Sequence, residues 1–226
     1  MNEIDRVWSP HPQSGLSTLQ TYLVTLFLES AESAGYVLVG GGALIAHGLV
    51  DRRTQDLDFF NTTGSPEADV RIAANAFAGM CARLGLVTRV LTGTTTFSQV
   101  AIAKGKEEVV VDFALDAPLV DEWVQSPVGR TPSLTDLAAM KLLALFSRAA
   151  PRDFIDVHRL AQLLGREAIV MRALKLDSGF SLPVLADALR AGRRIPDDRF
   201  PVAVRDVGEV RAFFEEWLVE IQAAQE

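Results

Sequence analysis

The stretch from Val39 to Phe60 constrains this chain most, because a run of three glycines is followed in it by two closely spaced aspartates. The apolar run 36–39 precedes the glycines, and residues 56–60 read Asp-Leu-Asp-Phe-Phe, which is typical of a half-buried strand. Side chains alternate between the faces of a strand, so both aspartates share one face. Neighbouring carboxylates repel each other unless a cation lies between them, and Mg²⁺ is usually bound by carboxylates together with substrate phosphates. Glycines let the backbone approach phosphates, so the stretch predicts a nucleotide-handling site.

The composition is that of a globular protein with one large or two small domains. The chain has 226 residues, of which 49% are hydrophobic and 23% charged. It contains no run of 18 apolar residues, which argues against a membrane span, and residues 1–15 lack the apolar core of a signal peptide. The single cysteine cannot form an internal disulfide. We therefore expect a cytoplasmic protein that does not associate with membranes.

The net charge of −7 argues against indiscriminate nucleic-acid binding. The charge is uneven, however, because residues 131–200 carry 11 Lys and Arg against 8 Asp and Glu. Any contact with a polyanion should use this segment, although a solvated helical surface explains the balance equally well. A cluster of arginines lies beside Gly192 in this segment, namely Arg190, Arg193 and Arg194. If the protein acts on RNA, we predict that these arginines bind it.

Hydrophobic periodicity and turn residues predict a mixed-sheet domain followed by a helical part. The predicted strands are 36–39, 56–60, 86–91, 97–103 and 109–115, of which the last three suggest a meander. The predicted helices are 16–34, 43–49 and 66–84, followed by 133–149, 152–164, 167–175, 183–191 and 206–224. The fold class is thus α/β (α+β), with a core domain at 1–118 and a helical domain at 119–226.

A third carboxylate, Asp112, lies in the apolar strand 109–115. A buried charge is costly unless it has a cation or another partner. A strand that carries Asp56 and Asp58 beside a strand that carries Asp112 predicts a three-carboxylate metal site. In such a site two metal ions can activate the attacking oxygen and stabilise the leaving oxygen.

Lys141 interrupts an apolar stripe on the helix 133–149. Two interpretations remain open, because its ammonium group could follow the apolar surface to water or could reach a triphosphate. Asp153 follows near the start of the next helix, where the helix dipole favours an acid. The functional alternative pairs Asp153 with Lys141 or with an arginine.

Together these motifs resemble the AbiEii/AbiGii-type nucleotidyltransferase toxins, which include the MenT-like toxins. The matching elements are residues 39–44 (VGGGAL), residues 52–59 (RRTQDLDF), Asp112, residues 141–148 (KLLALFSR) and residues 152–156 (RDFID). The resemblance covers about residues 36–164. This sequence departs from the family pattern at Gly42, where a hydroxyl residue is usual, so only backbone NH groups can contact a phosphate there.

The resemblance implies a polymerase-β-like nucleotidyltransferase core that transfers a nucleotide from an NTP with Mg²⁺ or Mn²⁺. In MenT-like members the acceptor is the 3′ end of tRNA, transfer blocks translation, and an antitoxin encoded beside the toxin neutralises it. We expect Asp56, Asp58 and Asp112 to bind metal and to act in catalysis with Lys141 and Asp153. The expected nucleotide-binding residues are Gly40, Gly41, Gly42, Arg52, Thr54, Lys141 and Arg148.

The sequence leaves two alternatives to a tRNA-modifying toxin. A nucleotidyltransferase that modifies a small molecule or a protein hydroxyl would fit the acidic net charge. A non-catalytic nucleotide-binding partner protein is the other, although a pure binder has no need of a complete set of three carboxylates. We expect the chain to be a monomer.

Overall fold

The structure, a computed structural model, describes residues 15–50, 53–64, 69–202 and 204–223. The chain divides into two compact units, Met1–Ser133 and Leu134–Glu226. The first unit contains the β-sheet, and the described part of the second unit is helical. This mixed α/β architecture confirms the predicted fold class.

The first unit is built around a five-stranded mixed sheet. Its elements are α1 (Thr18–Leu28), β1 (Tyr36–Val39), α2 (Gly40–Ala46), β2 (Asp56–Asn61), α3 (Val70–Arg83), β3 (Val87–Gly93), β4 (Phe97–Lys104), β5 (Glu107–Leu115), β6 (Val124–Ser126) and β7 (Gly129–Thr131). The strand order is β1-β2-β5-β4-β3. Strands β2 and β5 pair in parallel, and the other pairs are antiparallel. The predicted meander is therefore present as β3–β4–β5.

Aromatic side chains form the core on one face of this sheet. Ring centroids 4.6–6.1 Å apart join Phe27, Tyr36, Phe59, Phe77 and Phe113. Each of these side chains is at most 4% exposed. Phe59 and Phe113 directly follow the aspartates of their strands. Because successive side chains point to opposite faces, burying these rings places the aspartates on the other face.

Helix α1 is shorter than the predicted helix 16–34. It begins with a capping box, in which the Ser17 hydroxyl accepts from the Gln20 backbone NH and the Gln20 side chain accepts from the Ser17 NH. It ends at Leu28, and a 3-10 helix follows at Ala31–Ser33. The Arg130 guanidinium donates to the carbonyls of Leu28 and Ser33 at 3.3 and 3.0 Å, which satisfies groups left open at this end.

Helix α2 lies three residues earlier than the predicted helix 43–49, because the glycines themselves form its first turn. Helix α3 begins at Val70, where the Asp69 carboxylate caps the Arg71 NH. The predicted start of this helix, at Pro66, lies outside the described residues.

The β6–β7 hairpin was not predicted, since its strands are only three residues long. It packs on β1 and α1. The hairpin therefore belongs to the first unit, and the division falls after Ser133 instead of at the predicted position, 118.

The described part of the second unit contains five α-helices, and each lies where periodicity predicts one. They are α4 (Leu134–Arg148), α5 (Pro151–Leu164), α6 (Arg166–Leu176), α7 (Leu182–Gly192) and α8 (Val204–Ala223). Phe154 of α5 packs edge-on against Phe214 of α8, which stacks on Trp217. Among the described helices of the whole chain, none combines the length and the apolarity that crossing a membrane requires.

Candidate active site

Strands β2 and β5 bring the three aspartates of the first unit onto one face of the sheet. Asp58 lies directly opposite Asp112 in the parallel register, and Asp56 lies opposite Val110. All three aspartates are half-buried, whereas their neighbours Leu57, Phe59, Val111 and Phe113 are completely buried. The predicted convergence of Asp56 and Asp58 with Asp112 is thus present in the strand register.

Gly40 lies against the carboxylate of Asp58. The register pairs Val39 with Asp58, so the chain enters α2 beside this carboxylate. Gly40 has a φ of +64°, which favours glycine, and a Cβ at this position would collide with Oδ2 of Asp58 and lie 2.9 Å from its Cγ. Any side chain at position 40 would therefore displace Asp58.

Neutral side chains donate hydrogen bonds to the other two carboxylates. The Thr54 hydroxyl donates to Oδ1 of Asp56 at 2.5 Å, and the Gln99 amide donates to Oδ1 of Asp112 at 2.8 Å. Burial raises the pKa of Asp112, the Gln99 hydrogen bond lowers it, and the charge of Asp56 raises it. The net direction is upward, as expected for a carboxylate that lies near another in a partly desolvated site.

The donor set of this face suits a hard divalent cation that also binds phosphate. Within residues 15–50, 53–64, 69–202 and 204–223, no three His, Cys, Asp or Glu side chains are arranged as a complete metal-binding group. Mg²⁺ commonly uses one or two carboxylates and takes its remaining ligands from water and substrate phosphates. Burial is the main cause that raises the pKa of Asp112 and the charge of Asp56 adds to it, and a bound cation would offset both by stabilising the ionised carboxylate. The residues present therefore fit Mg²⁺ bound together with a nucleotide.

The structure separates the roles of the predicted glycines. Position 42 points into the core, because a Cβ at Gly42 would lie 3.2 Å from Leu38 Cδ1 and 3.4 Å from Leu57 Cδ2. A hydroxyl side chain there would press on buried leucines. Gly41 is buried in the first turn of α2. The predicted nucleotide contact at Arg52 lies outside the described residues.

In the second unit, the predicted cationic residues form ion pairs with aspartates of α5. Lys141 Nζ lies 2.9 Å from Oδ2 of Asp156, and the two side chains are 6% and 0% exposed. Arg148 binds Asp153 in a bidentate manner, with Nε and Nη2 at 2.7 and 2.8 Å from the two carboxylate oxygens. Of the two partners proposed for Asp153, the arginine is the one observed. The Lys141 ammonium is buried against a carboxylate, so it does not extend along the apolar stripe to water.

Two polar residues, Gln99 and Asp136, were not predicted from the sequence. Ser98 and Val100 on either side of Gln99 are buried, so strand periodicity predicts that Gln99 faces away from them, but it does not predict which residue of the next strand lies opposite Gln99. Asp136 is completely buried and pairs with Arg172 at 2.9 Å. No local pattern connects these last two residues, because they are 36 positions apart.

The arginines predicted to contact RNA lie at the end of α7 and just after it. Arg190 forms an ion pair with Asp187 at 2.5 Å, and Arg193 Nε donates to Glu215 at 2.6 Å. Arg194 is exposed. Two of the three guanidinium groups are therefore already engaged by carboxylates of the same unit.

Comparison with protein families gives one match that covers most of the chain. The model of the family described as nucleotidyl transferase AbiEii toxin, type IV TA system, matches residues 21–180. No curated protein matches the chain in sequence.

Solved structures share the fold at low sequence identity. MenT4, a nucleotidyltransferase toxin from Mycobacterium tuberculosis, is 19% identical, with a TM-score of 0.57 over 91% of this chain and 89% of that chain. A protein from H. pylori assigned as a nucleotidyltransferase is 16% identical, with a TM-score of 0.52 over 92% and 97%. The antibiotic-resistance factor ANT(2'')-Ia is 16% identical, with a TM-score of 0.50 over 72% and 94%. At these identities the three structures support the fold alone.

Proposed function

Because the chain belongs to the AbiEii nucleotidyl transferase toxin family, we propose that it transfers a nucleotide from an NTP to the 3′ end of tRNA with Mg²⁺. The family belongs to a toxin–antitoxin system, which implies an antitoxin partner. Transfer to tRNA would block translation, and the protein would act in the cytoplasm.

The observation that carries the proposal is the face on which β2 and β5 present Asp56, Asp58 and Asp112. Asp56 and Asp58 would hold Mg²⁺, with Asp112 as a third ligand or as the base. When bound, the metal would neutralise charge on the phosphates of the NTP. Carboxylates on rigid strands are held in place before substrate binds, which favours transfer because little reorganisation is then needed.

The transfer step assigns a role to Asp112. The oxygen of the acceptor hydroxyl forms a bond to the α-phosphorus, the bond from that phosphorus to the bridging oxygen breaks, and pyrophosphate leaves. The hydroxyl proton passes to the carboxylate of Asp112. Asp112 shares a face with Asp56 and Asp58, the proposed metal ligands, which supports this role.

Gly40 and Gly41 would approach the phosphates through their backbone, next to Asp58. The absence of a side chain at Gly40 leaves room for the Asp58 carboxylate, which keeps this proposed metal ligand beside the glycine turn. Gly42 would contribute a backbone NH only, since a Cβ at this position would point toward Leu38 and Leu57.

The tRNA acceptor rests on the resemblance of the motifs to MenT-like toxins and on the basic balance of residues 131–200. A second candidate is transfer to a small-molecule or protein hydroxyl. It is favoured by the net charge of −7 and by the engagement of Arg190 and Arg193 with carboxylates, both of which reduce the attraction for a polyanion.

Labelled NTPs offered together with total RNA and total protein would test the function. We expect label in the tRNA fraction, and we expect transfer to stop in excess chelator. Asp58→Ala should abolish transfer with the fold intact, because it removes a proposed Mg²⁺ ligand from a strand face. Label in protein or in a small molecule would favour the second candidate, and unchanged transfer by the Asp58 variant or in chelator would refute the metal-dependent mechanism.

A further inference from the structure

Gln99 lies on β4 directly opposite Asp112 of β5 in the antiparallel register. Opposed residues of neighbouring strands project to the same face, so Gln99 shares the face of the three aspartates. It is half-buried, and its neighbours Ser98 and Val100 are 1% and 0% exposed. Strand β4 thus contributes a polar side chain to a face whose carboxylates come from β2 and β5.

The contact between Gln99 and Asp112 has the length of a good hydrogen bond. Nε2 of Gln99 donates to Oδ1 of Asp112 at 2.8 Å. Within the part of the chain that the structure describes, no other side chain donates a hydrogen bond to this carboxylate. Because Oδ1 already accepts this hydrogen bond, Oδ2 is the oxygen with more acceptor capacity left for a cation or for the proton of an acceptor hydroxyl.

The amide is well suited to this task because it is neutral. A lysine or arginine at position 99 would neutralise Asp112 and compete with a metal ion, as the cations of the second unit neutralise their aspartates. The amide fixes the carboxylate without cancelling its charge. The Thr54 hydroxyl makes an equivalent contact to Asp56.

We propose that Gln99 is a positioning residue for nucleotidyl transfer, which holds the Asp112 carboxylate in its working orientation without touching the reacting atoms. The proposal rests on the proposed function and deepens it. Side chains that orient metal ligands in this way typically contribute about 10–100-fold to metal affinity or activity.

Two variants and one matched control test the proposal. Gln99→Met keeps the length of the side chain and removes the donor, whereas Gln99→Glu keeps the shape and replaces the donor by a carboxylate that repels Asp112. The control is Gln125→Met, because Gln125 is an exposed glutamine on β6 whose amide, among the described residues, donates only to the carbonyl of Ser126. Each protein is measured for Mn²⁺ binding by electron paramagnetic resonance with a non-hydrolysable NTP analogue, for transfer over a Mg²⁺ titration, and for thermal unfolding.

We expect Gln99→Met to weaken Mn²⁺ binding or transfer at saturating NTP by about 10–100-fold, with a thermal midpoint close to that of the wild type. Gln99→Glu should lose at least as much transfer, and Gln125→Met should match the wild type in every measurement. Wild-type Mn²⁺ binding and transfer by Gln99→Met would overturn the proposal, as would losses that only follow a lowered thermal midpoint. If the wild type labels no acceptor, the proposed function fails, and Mn²⁺ binding by the variants still decides the role of Gln99.

Discussion

Aspartates occupy two different environments in the two units of this molecule. In the first unit, Asp112 is half-buried, receives a hydrogen bond from a neutral amide and feels the charge of Asp56. In the second unit, Asp153 and Asp156 are completely buried, and each pairs with a cation at 2.7–2.9 Å. The same residue type therefore lies on an accessible face in one unit and inside compensated ion pairs in the other.

The difference separates two uses of a carboxylate. A buried pair gains its Coulomb attraction only by losing the hydration of both ions, so it contributes little net stability, yet removing one partner is strongly destabilising. A half-buried carboxylate near another carboxylate behaves differently, because the repulsion between the two is relieved when a cation binds. We infer that variants of Asp58 and Asp112 will change activity more than stability, whereas variants of Asp156 will change stability first.

The largest effect on stability is expected for Asp156→Ala. This variant leaves the Lys141 ammonium buried without its carboxylate, which should cost about 3–5 kcal/mol of unfolding free energy. The double variant Lys141→Met with Asp156→Leu removes both charges and should be neutral or stabilised by up to about 4 kcal/mol. The measurement is urea unfolding of four proteins, namely the wild type, Asp156→Ala, Lys141→Met and the double variant.

The same double variant separates structure from function at Lys141. If Lys141 contacts the triphosphate, the stable double variant should be deficient in NTP use. A double variant with wild-type transfer would assign the pair to the helical core alone and remove Lys141 from the nucleotide-binding residues.

Gly40 and Gly48 provide a matched comparison of smaller size. Both have a positive φ, +64° and +68°, but a Cβ at Gly48 meets nothing within 4 Å, whereas one at Gly40 collides with Asp58. Alanine at either position should cost about 1–2 kcal/mol of backbone strain. Only Gly40→Ala should also abolish transfer. Equal activity of the two alanine variants, measured at a temperature where both are folded, would mean that the position of Asp58 is not critical.

Sequence reasoning found those features that depend on local pattern. Strand alternation placed Asp56 and Asp58 on one face, and helical periodicity placed Lys141 on the apolar face of its helix. It left open whether Asp153 pairs with Lys141 or with an arginine, because only packing shows that Asp153 pairs with Arg148 and that Lys141 pairs with Asp156. It also missed Gln99, since a glutamine in a strand is unremarkable until the register places it opposite Asp112.

A third prediction concerns His158, a base on the helix that also carries Asp153 and Asp156. Burial is the main cause that lowers the pKa of His158, with Arg159 and Arg166 acting in the same direction and Glu209 opposing them. The imidazole packs on Phe213, and the Gln162 amide lies 3.1 Å from Nε2, where it can donate to the neutral ring. The folded state therefore favours the uncharged form.

The sign of the resulting pH dependence follows from this depressed pKa. The stability linked to His158 should be fully present above the unfolded pKa of about 6.5 and should be lost as pH falls from there through the folded pKa. His158→Gln, which cannot titrate, should show a flatter loss of stability between pH 7.5 and 5 in urea unfolding. Parallel curves for variant and wild type would contradict the prediction. Burial also lowers the pKa of His47, so His47→Gln serves as the comparison in the first unit.

The smallest effect is expected at the surface of the second unit, where the ion pairs are exposed instead of buried. Arg193 pairs with Glu215, and Arg194 is exposed, so reversing both charges should leave unfolding nearly unchanged. If these arginines hold tRNA phosphates, Arg193→Glu with Arg194→Glu should weaken transfer to many tRNAs alike, because phosphate contacts carry no sequence information. The dependence of log affinity on log salt should become shallower by about 0.7–0.9 for each lost contact.

Glu215→Gln is the matched control, since it releases Arg193 from its carboxylate and should strengthen tRNA binding at low salt. Transfer that ignores salt, the charge reversal and the Glu215 variant would leave these arginines as ordinary surface pairs and would favour a small-molecule or protein acceptor.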